Sequence, residues 1–419
     1  MKTRFNKIVV SLIADLWMVF ATELRRVFRD PGVVLIFFIA GLGYPFIYNI
    51  IYWNDTLTDV PVAVVDLSGS PESRLFLHKW EATPDVRITH ICASMQEAED
   101  LMRRQVIHGI LYIPEDFDDA LATAQKQAHV SLYADMSSFL YMKAVYMSAN
   151  MVMLDEMRSV EINRYERMGL GKETAWALVQ DVPYEEVSLF CPTGGYSSFL
   201  IPAMLIMILH QTLFFGIGML AGTAREENQT LFFLPGGRRR SVFRLVLGRA
   251  LAYLVLYLGI AAVDLLLVPR IFHLPHVGNP YDIMRFTVPF LLAAIFFSMT
   301  VSLTVRNRES GMVTLLATTM IVFFIAGVSW PQAATPEAWR LVSYCIPATW
   351  GMHGFIHINT MGTTLAGTAT EYYALWIQSG VYFVIASLGL WISGLRHDKL
   401  LKIENGKLKM EPKIETDNR

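Results

Sequence analysis

The chain has 419 residues, of which 53% are hydrophobic and 17% charged, whereas soluble domains usually carry about 25% charged residues. That composition excludes an ordinary soluble globular protein and points to a membrane. A formal net charge of −2 gives no reason to expect nucleic acid as a partner, so the placement of charge carries more than its sum. Residues 1–30 lack a short apolar core followed by a small-residue cleavage site, so the first hydrophobic segment is expected to stay in the mature chain.

Residues 14–30, ADLWMVFATELRRVFRD, set Leu16, Val19, Phe20, Leu24 and Val27 close to one helical face, with Glu23, Arg25, Arg26 and Arg29 on or near the other. This pattern suits a helix lying in the membrane interface. Asp30-Pro31-Gly32 breaks it. Six stretches then have the roughly 20 apolar residues that a bilayer crossing needs. They are Val33–Tyr52, Phe199–Leu220, Leu245–Val268, Phe286–Val305, Met312–Trp330 and Ala374–Leu395.

Lys and Arg collect on cytoplasmic flanks of spans. Residues 1–32 hold Lys2, Arg4, Lys7, Arg25, Arg26 and Arg29, and the connection after the second span holds Arg225, Arg238, Arg239, Arg240 and Arg244. Arg306, Arg308 and the Lys-rich tail follow the same rule. Both termini are therefore expected in the cytoplasm, and residues 54–196 outside. The expected organisation is a cytoplasmic N-terminus with an interfacial helix (1–32), span one (33–53) and an extracytoplasmic domain (54–196). Spans two to six (197–395) follow, with a cytoplasmic loop at 222–248, a re-entrant segment at 331–362 and a cytoplasmic tail (396–419).

The outer insert reads as an α/β domain. Val62–Leu67, Val86–Cys92, Gly109–Ile113 and His129–Tyr133 have strand character. Pro71–Ala82, Met95–Gln105, Glu115–Gln125 and a long stretch Ser137–Arg167 read as helices, with Ser94 and Pro114 at natural helix starts. Met142, Val145, Met153 and Met157 either line a path for an apolar molecule or, the stronger reading, pack on the sheet or a partner subunit.

Within the spans, His210 and Gln211 are candidate pathway residues, with an interhelical hydrogen bond as the plainer reading of His210 and Gln211. Asp264, near the outer end of span three, reads equally as an intramembrane functional carboxylate or as the partner of Arg270. The segment Ser329–Gly362 carries Trp330, Trp339, Tyr344 and Trp350 among several prolines, so short helices dipping into the membrane from outside are expected there. Cys92, Cys191 and Cys345 all fall on the outer side, where one disulfide or three free thiols are equally compatible with the sequence.

No G-x-x-x-x-G-K-[ST], H-E-x-x-H, G-x-S-x-G or paired-cysteine spacing occurs. The chain is therefore expected to be neither an ATPase nor an enzyme of another kind. A chain of this shape reads either as a transporter subunit moved by something else or as a membrane scaffold that binds envelope partners through its outer domain. A secondary transporter driven through His210 or Asp264 is the weakest reading, because no inverted repeat is seen.

Several motifs together resemble the ABC-2 type permeases of ATP-binding cassette exporters, in the branch with a large domain after the first span. They are Arg29-Asp30-Pro31, Val60–Asp66 with Ser70–Arg74, and His108–Phe117; then Arg225-Glu226-Glu227 with Thr230-Leu231 and Leu234-Pro235, and Leu247-Gly248-Arg249; finally Pro331, Pro336, Trp339, Ser343, Pro347 and Thr349. Asn228-Gln229 stands where such proteins usually carry a glycine. The resemblance implies an ABC ATPase subunit as partner, a second permease subunit, and ATP with Mg bound by that ATPase and no cofactor in this chain. It also implies an ATPase-coupling set of Arg25, Arg26, Asp30, Glu226, Glu227, Thr230, Phe232, Phe233 and Leu234. The expected activity is export of a hydrophobic or amphipathic substrate, a drug or lipid, across the inner membrane.

Overall fold

The computed structural model describes residues 2–122, 128–179, 187–191, 194–227, 242–305, 307–309, 316 and 321–408. The chain forms two compact units, one of residues Asn54–Val187 and one of Met1–Trp53 with Ser188–Arg419.

The Asn54–Val187 unit is built on a four-stranded sheet in the order β2-β1-β3-β4. Its strands are β1 (Val60–Asp66), β2 (Val86–Ile91), β3 (Gly109–Ile113) and β4 (Ser131–Ala134). β1 is parallel to β2 and β3, while β4 is antiparallel to β3. A strand with parallel neighbours on both sides is covered on both faces. The run VPVAVV answers that demand: Val62 and Val64 enter a core with Phe76, Trp80 and Leu111, whereas Ala63 and Val65 enter another with Ala98, Ile107 and Ile110.

The first core is closed by helices Pro71–Glu81 and Phe139–Arg167 and the second by Met95–Arg103. Ser70 and Ser94 cap the first and last of these by accepting from the backbone amides of Ser73 and Glu97. Pro114 does not open a helix. The next helix starts at Phe117, after a turn in which Phe117 N donates to Pro114 O. The long helix buries Val145, Ser148, Ala149 and Val152, and the Trp80 indole donates to Ser148 Oγ at 3.0 Å. Met142 and Met153 are half-buried and Met157 is exposed, so one methionine-bearing face packs and the other is open.

The second unit is helical. An N-terminal helix α1 (Lys2–Arg29) precedes five helices long and apolar enough to cross a membrane: Pro31–Ile51, Tyr196–Glu226, Val242–Ile271, Pro280–Ser302 and Ala369–Ser393. Pro280–Ser302 begins six residues before the apolar run at Phe286, because Asn279 caps it and Pro280 takes the first turn. Of the expected fifth span, Met312–Trp330, residues 312–315 and 317–320 lie outside the described residues, and 321–325 are helical.

Tyr196–Glu226 is the bundle's axis, with 83% of its apolar window buried, against 22% for the first span and 28% for the last. The segment after Trp330 folds into short helices, Glu337–Tyr344 and Pro347–Asn359. Its prolines start these helices instead of breaking one long helix, since Pro336 is a cap and Pro347 lies in the first turn.

Candidate functional site

The N-terminal helix presents Val19, Glu23 and Val27, four residues apart, as its buried face; Arg25 and Arg29 are exposed. Glu23 thus departs from the sequence reading, which grouped it with the polar side. Its burial follows from what it meets on the Val242–Ile271 helix. Tyr253 Oη donates to Glu23 Oε1, and Arg249 Nε stands 3.3 Å from Glu23 Oε2. Arg26 adds a looser contact at 3.7 Å. The Arg249 contact lacks hydrogen-bond geometry, so its attraction is coulombic. Burying a carboxylate is tolerable where a cation and a hydroxyl donor compensate its lost hydration.

One turn further, Asp30 does two jobs. Its Oδ1 accepts from the amides of Gly32 at 3.0 Å and Val33 at 3.3 Å, capping the first span. Its two oxygens also take the Arg308 fork, Nη2 to Oδ1 at 2.8 Å and Nη1 to Oδ2 at 3.1 Å. Paired donors on a carboxylate fix orientation as well as energy. Arg308 reaches further: Nη1 donates to Thr223 Oγ1 at 3.4 Å and its backbone amide to Glu226 Oε1 at 2.8 Å.

Two glycines make room for this residue. A Cβ on Gly222 would stand 2.8 Å from Arg308 Cα and N, a backbone contact that cannot swing away. One on Gly32 would collide with the Arg308 guanidinium. Beside them Arg225 Nη2 donates to Leu303 O at 2.9 Å, and Arg244 Nη1 to Asp15 Oδ2 at 2.8 Å.

These groups border a cavity of about 950 Å3 that opens between the N-terminal helix and the ends of the spans. Of the residues singled out from sequence, the cavity brings together Arg25, Arg26, Asp30 and Glu227. Glu226 joins through Arg308. Thr230, Phe232, Phe233 and Leu234 lie outside the described residues.

The intramembrane candidates form a different set. His210 is 2% exposed, its Nε2 has no hydrogen-bond partner among the described residues, and its ring lies against Phe214 and Phe297 at centroid separations of 6.0 and 5.7 Å. For Nε2 the aromatic contact therefore replaces the expected interhelical hydrogen bond. Gln211 is half-buried. Asp264 is fully buried in a π-helical turn, Val263–Leu267, with neither carboxyl oxygen hydrogen-bonded among the described residues. Arg270 is exposed and makes no ion pair with it among the described residues, which removes the interfacial-pair reading.

Comparison with protein families matches residues 32–388 to ABC-2 family transporter protein. The chain belongs to the ABC-2 transporter family. Comparison with curated proteins returns no match. An ABC-2 chain is the transmembrane permease subunit of an ABC transporter, a class that is generally non-catalytic, and its family implies an ABC ATPase as partner.

Within this ABC-2 chain, the match begins just after Arg25, Arg26 and Asp30 and includes Glu226 and Arg308. No group of three or more His, Cys, Asp or Glu among the described residues could hold a metal ion. Chemically, the basic end offers guanidinium donors to anions. Sequence reasoning missed Glu23, Arg249, Tyr253 and Arg308 as site residues. Arg308 was visible only as a topology-setting charge, because its partner Asp30 is 278 positions away. Arg249 and Tyr253 share one helical face at i and i+4, and that spacing was the available signal.

Proposed function

We propose that this ABC-2 permease carries a hydrophobic or amphipathic substrate outward, driven by an ATPase that engages the basic end of the bundle. The observation that supports this most is the Arg308 staple. It joins the entry of the first span, through Asp30, to the end of the Tyr196–Glu226 helix, through Thr223 and Glu226. A push on either element reaches the other without slack, as coupling between two packings of a bundle requires.

In this reading both termini and the basic end face the cytoplasm, by the distribution of Lys and Arg. Residues 54–196 are then extracytoplasmic, and Met312–Trp330 supplies the fifth of six spans. Residues 331–362 are the re-entrant segment on the outer side. The permease works in the inner membrane as a homo- or heterodimer beside two ATPase subunits, and Arg25, Arg26, Asp30, Glu226, Glu227, Thr230, Phe232, Phe233 and Leu234 receive the ATPase. His210, Gln211 and Asp264 line the pathway. The test is to replace Glu226 and Glu227 with alanine and measure complex formation and stimulated ATP hydrolysis. Wild-type values for both would rule the coupling assignment out.

A further inference from the structure

We propose that the cavity at the basic end binds the phosphate headgroup of an anionic phospholipid from the adjoining leaflet. The proposal rests on the reading that this end faces the membrane interface, and it names a ligand for the cavity itself. Six guanidinium groups, those of Arg25, Arg26, Arg29, Arg225, Arg249 and Arg308, line the cavity against three carboxylates, Glu23, Asp30 and Glu227.

The carboxylates do not absorb this positive charge evenly. Glu23 is held by Arg249, Arg26 and the Tyr253 hydroxyl, and Asp30 by the Arg308 fork and two backbone amides. Arg25 and Arg29 have neither an ion pair nor a hydrogen bond among the described residues. Two free guanidinium groups one helical turn apart match the oxygens of a phosphate, which arginine recognises through paired donors.

Shape selects among anions. A cavity of about 950 Å3 is far larger than a lone phosphate needs and lies within the range of organic-ligand sites. Its wall also carries an apolar portion, from Ile217, Leu220, Leu245, Met299, Leu303 and Leu390. A ligand with a charged head and a hydrocarbon body satisfies both surfaces; a free ion satisfies one. The depth agrees, because the N-terminal helix turns Trp17 (68% exposed) and Phe28 (56% exposed) outward, as an interfacial helix does toward lipid. A cationic amphiphile would meet the unneutralised arginines, and a zwitterionic one brings its own competing cation.

The experiment uses the full permease chain, without ATPase, in phosphatidylcholine nanodiscs doped with phosphatidic acid labelled at the end of one acyl chain. Binding is read as energy transfer from tryptophan to the label. The double variant Arg25→Gln/Arg29→Gln is expected to bind the labelled lipid roughly tenfold more weakly, the effect of about 1.4 kcal/mol lost from charge-assisted hydrogen bonds. Its melting temperature should match the wild type, since neither side chain has an ion pair or hydrogen bond to lose among the described residues. Arg103→Gln/Arg104→Gln, on the Met95–Arg103 helix and the residue after it, should bind as the wild type does.

Equal binding by Arg25→Gln/Arg29→Gln and wild type would overturn the site. Displacement of the label by inorganic phosphate, but not by unlabelled phosphatidic acid, would overturn the lipid and leave a free-anion site. Because no ATPase is present, failure here leaves the coupling reading untouched, and failure of the Glu226 and Glu227 test leaves this one untouched.

Discussion

Polar side chains in the helical unit are treated in two opposite ways. At the basic end Glu23, Asp30 and Glu226 each meet a cation, a hydroxyl or a backbone amide. In the body of the bundle neither oxygen of Asp264 nor Nε2 of His210 has a hydrogen-bond partner among the described residues. A satisfied network fixes one arrangement of the helices that share it. An unsatisfied buried group costs stability and is kept where a function uses it. The first set holds in place the helices that share it; under the transport reading proposed above, the second is available to something passing through the bundle.

The largest expected effect is at Arg308. Arg308→Ala leaves Asp30 without its fork and Thr223 without its guanidinium donor while the backbone amide still donates to Glu226, and should cost about 2 kcal/mol, less than the 3–5 of a fully buried pair because Arg308 is one-third exposed. A melting curve of the purified permease reads it, and an unchanged midpoint would break the staple. Gly222→Ala comes next. A methyl group 2.8 Å from the Arg308 backbone should cost about 1–3 kcal/mol by overpacking, and Gly222→Ala combined with Arg308→Ala should relieve little of it, because the clash is with main chain.

Glu23→Gln keeps an acceptor for Tyr253 but loses the charge opposite Arg249, a loss of about 1 kcal/mol in the same assay. A wild-type midpoint would mean that the pair contributes nothing. Asp264→Asn sharpens the contrast from the other side. With no partner to lose, it should leave the melting temperature unchanged or raise it, while lowering transport. A drop in melting temperature would reveal that Asp264 does have a structural partner.

The smallest effect concerns the sheet unit. Half-buried Asp135 is held down to about 2, first by Ser137 and then by His108, whose Nδ1 lies 3.0 Å from Asp135 Oδ2. A carboxylate lowered by folding contributes stability that is complete above its ordinary range near 3.8 and is lost as pH falls toward about 2. Pepsin cleavage within residues 54–187 should therefore rise between about pH 4 and pH 2, and less steeply in Asp135→Asn. Identical profiles for the two proteins would remove Asp135 from the acid limb.

Much of this was legible in the residues and some could not have been. The strands of the sheet unit appeared within a few positions of their places because VPVAVV and GILYI are short apolar runs flanked by capped helices, a local signal. Five helices long enough to cross a membrane were readable for the same reason: twenty apolar residues need no partner to announce themselves. The basic end was only half visible. Arg25, Arg26, Asp30 and Glu226 could be named from short motifs, but Glu23 was misplaced, since an amphipathic pattern cannot show that the opposite helix supplies Arg249 and Tyr253. Arg308 was invisible for a deeper reason: Asp30 and Arg308 meet only through the tertiary fold. For Asp264 the sequence left two readings open, and the ion pair with Arg270 is not made among the described residues.

In the proposed mechanism Arg308 ties the first span to the end of the Tyr196–Glu226 helix so that an ATPase moves both together. Stimulated ATP hydrolysis by the reconstituted complex of Arg308→Ala, with complex formation scored on the same sample, tests it most directly. The account predicts that the complex still assembles while stimulation falls roughly tenfold, the size of effect that about 1.4 kcal/mol of lost coupling produces. Full assembly with wild-type stimulation would contradict it.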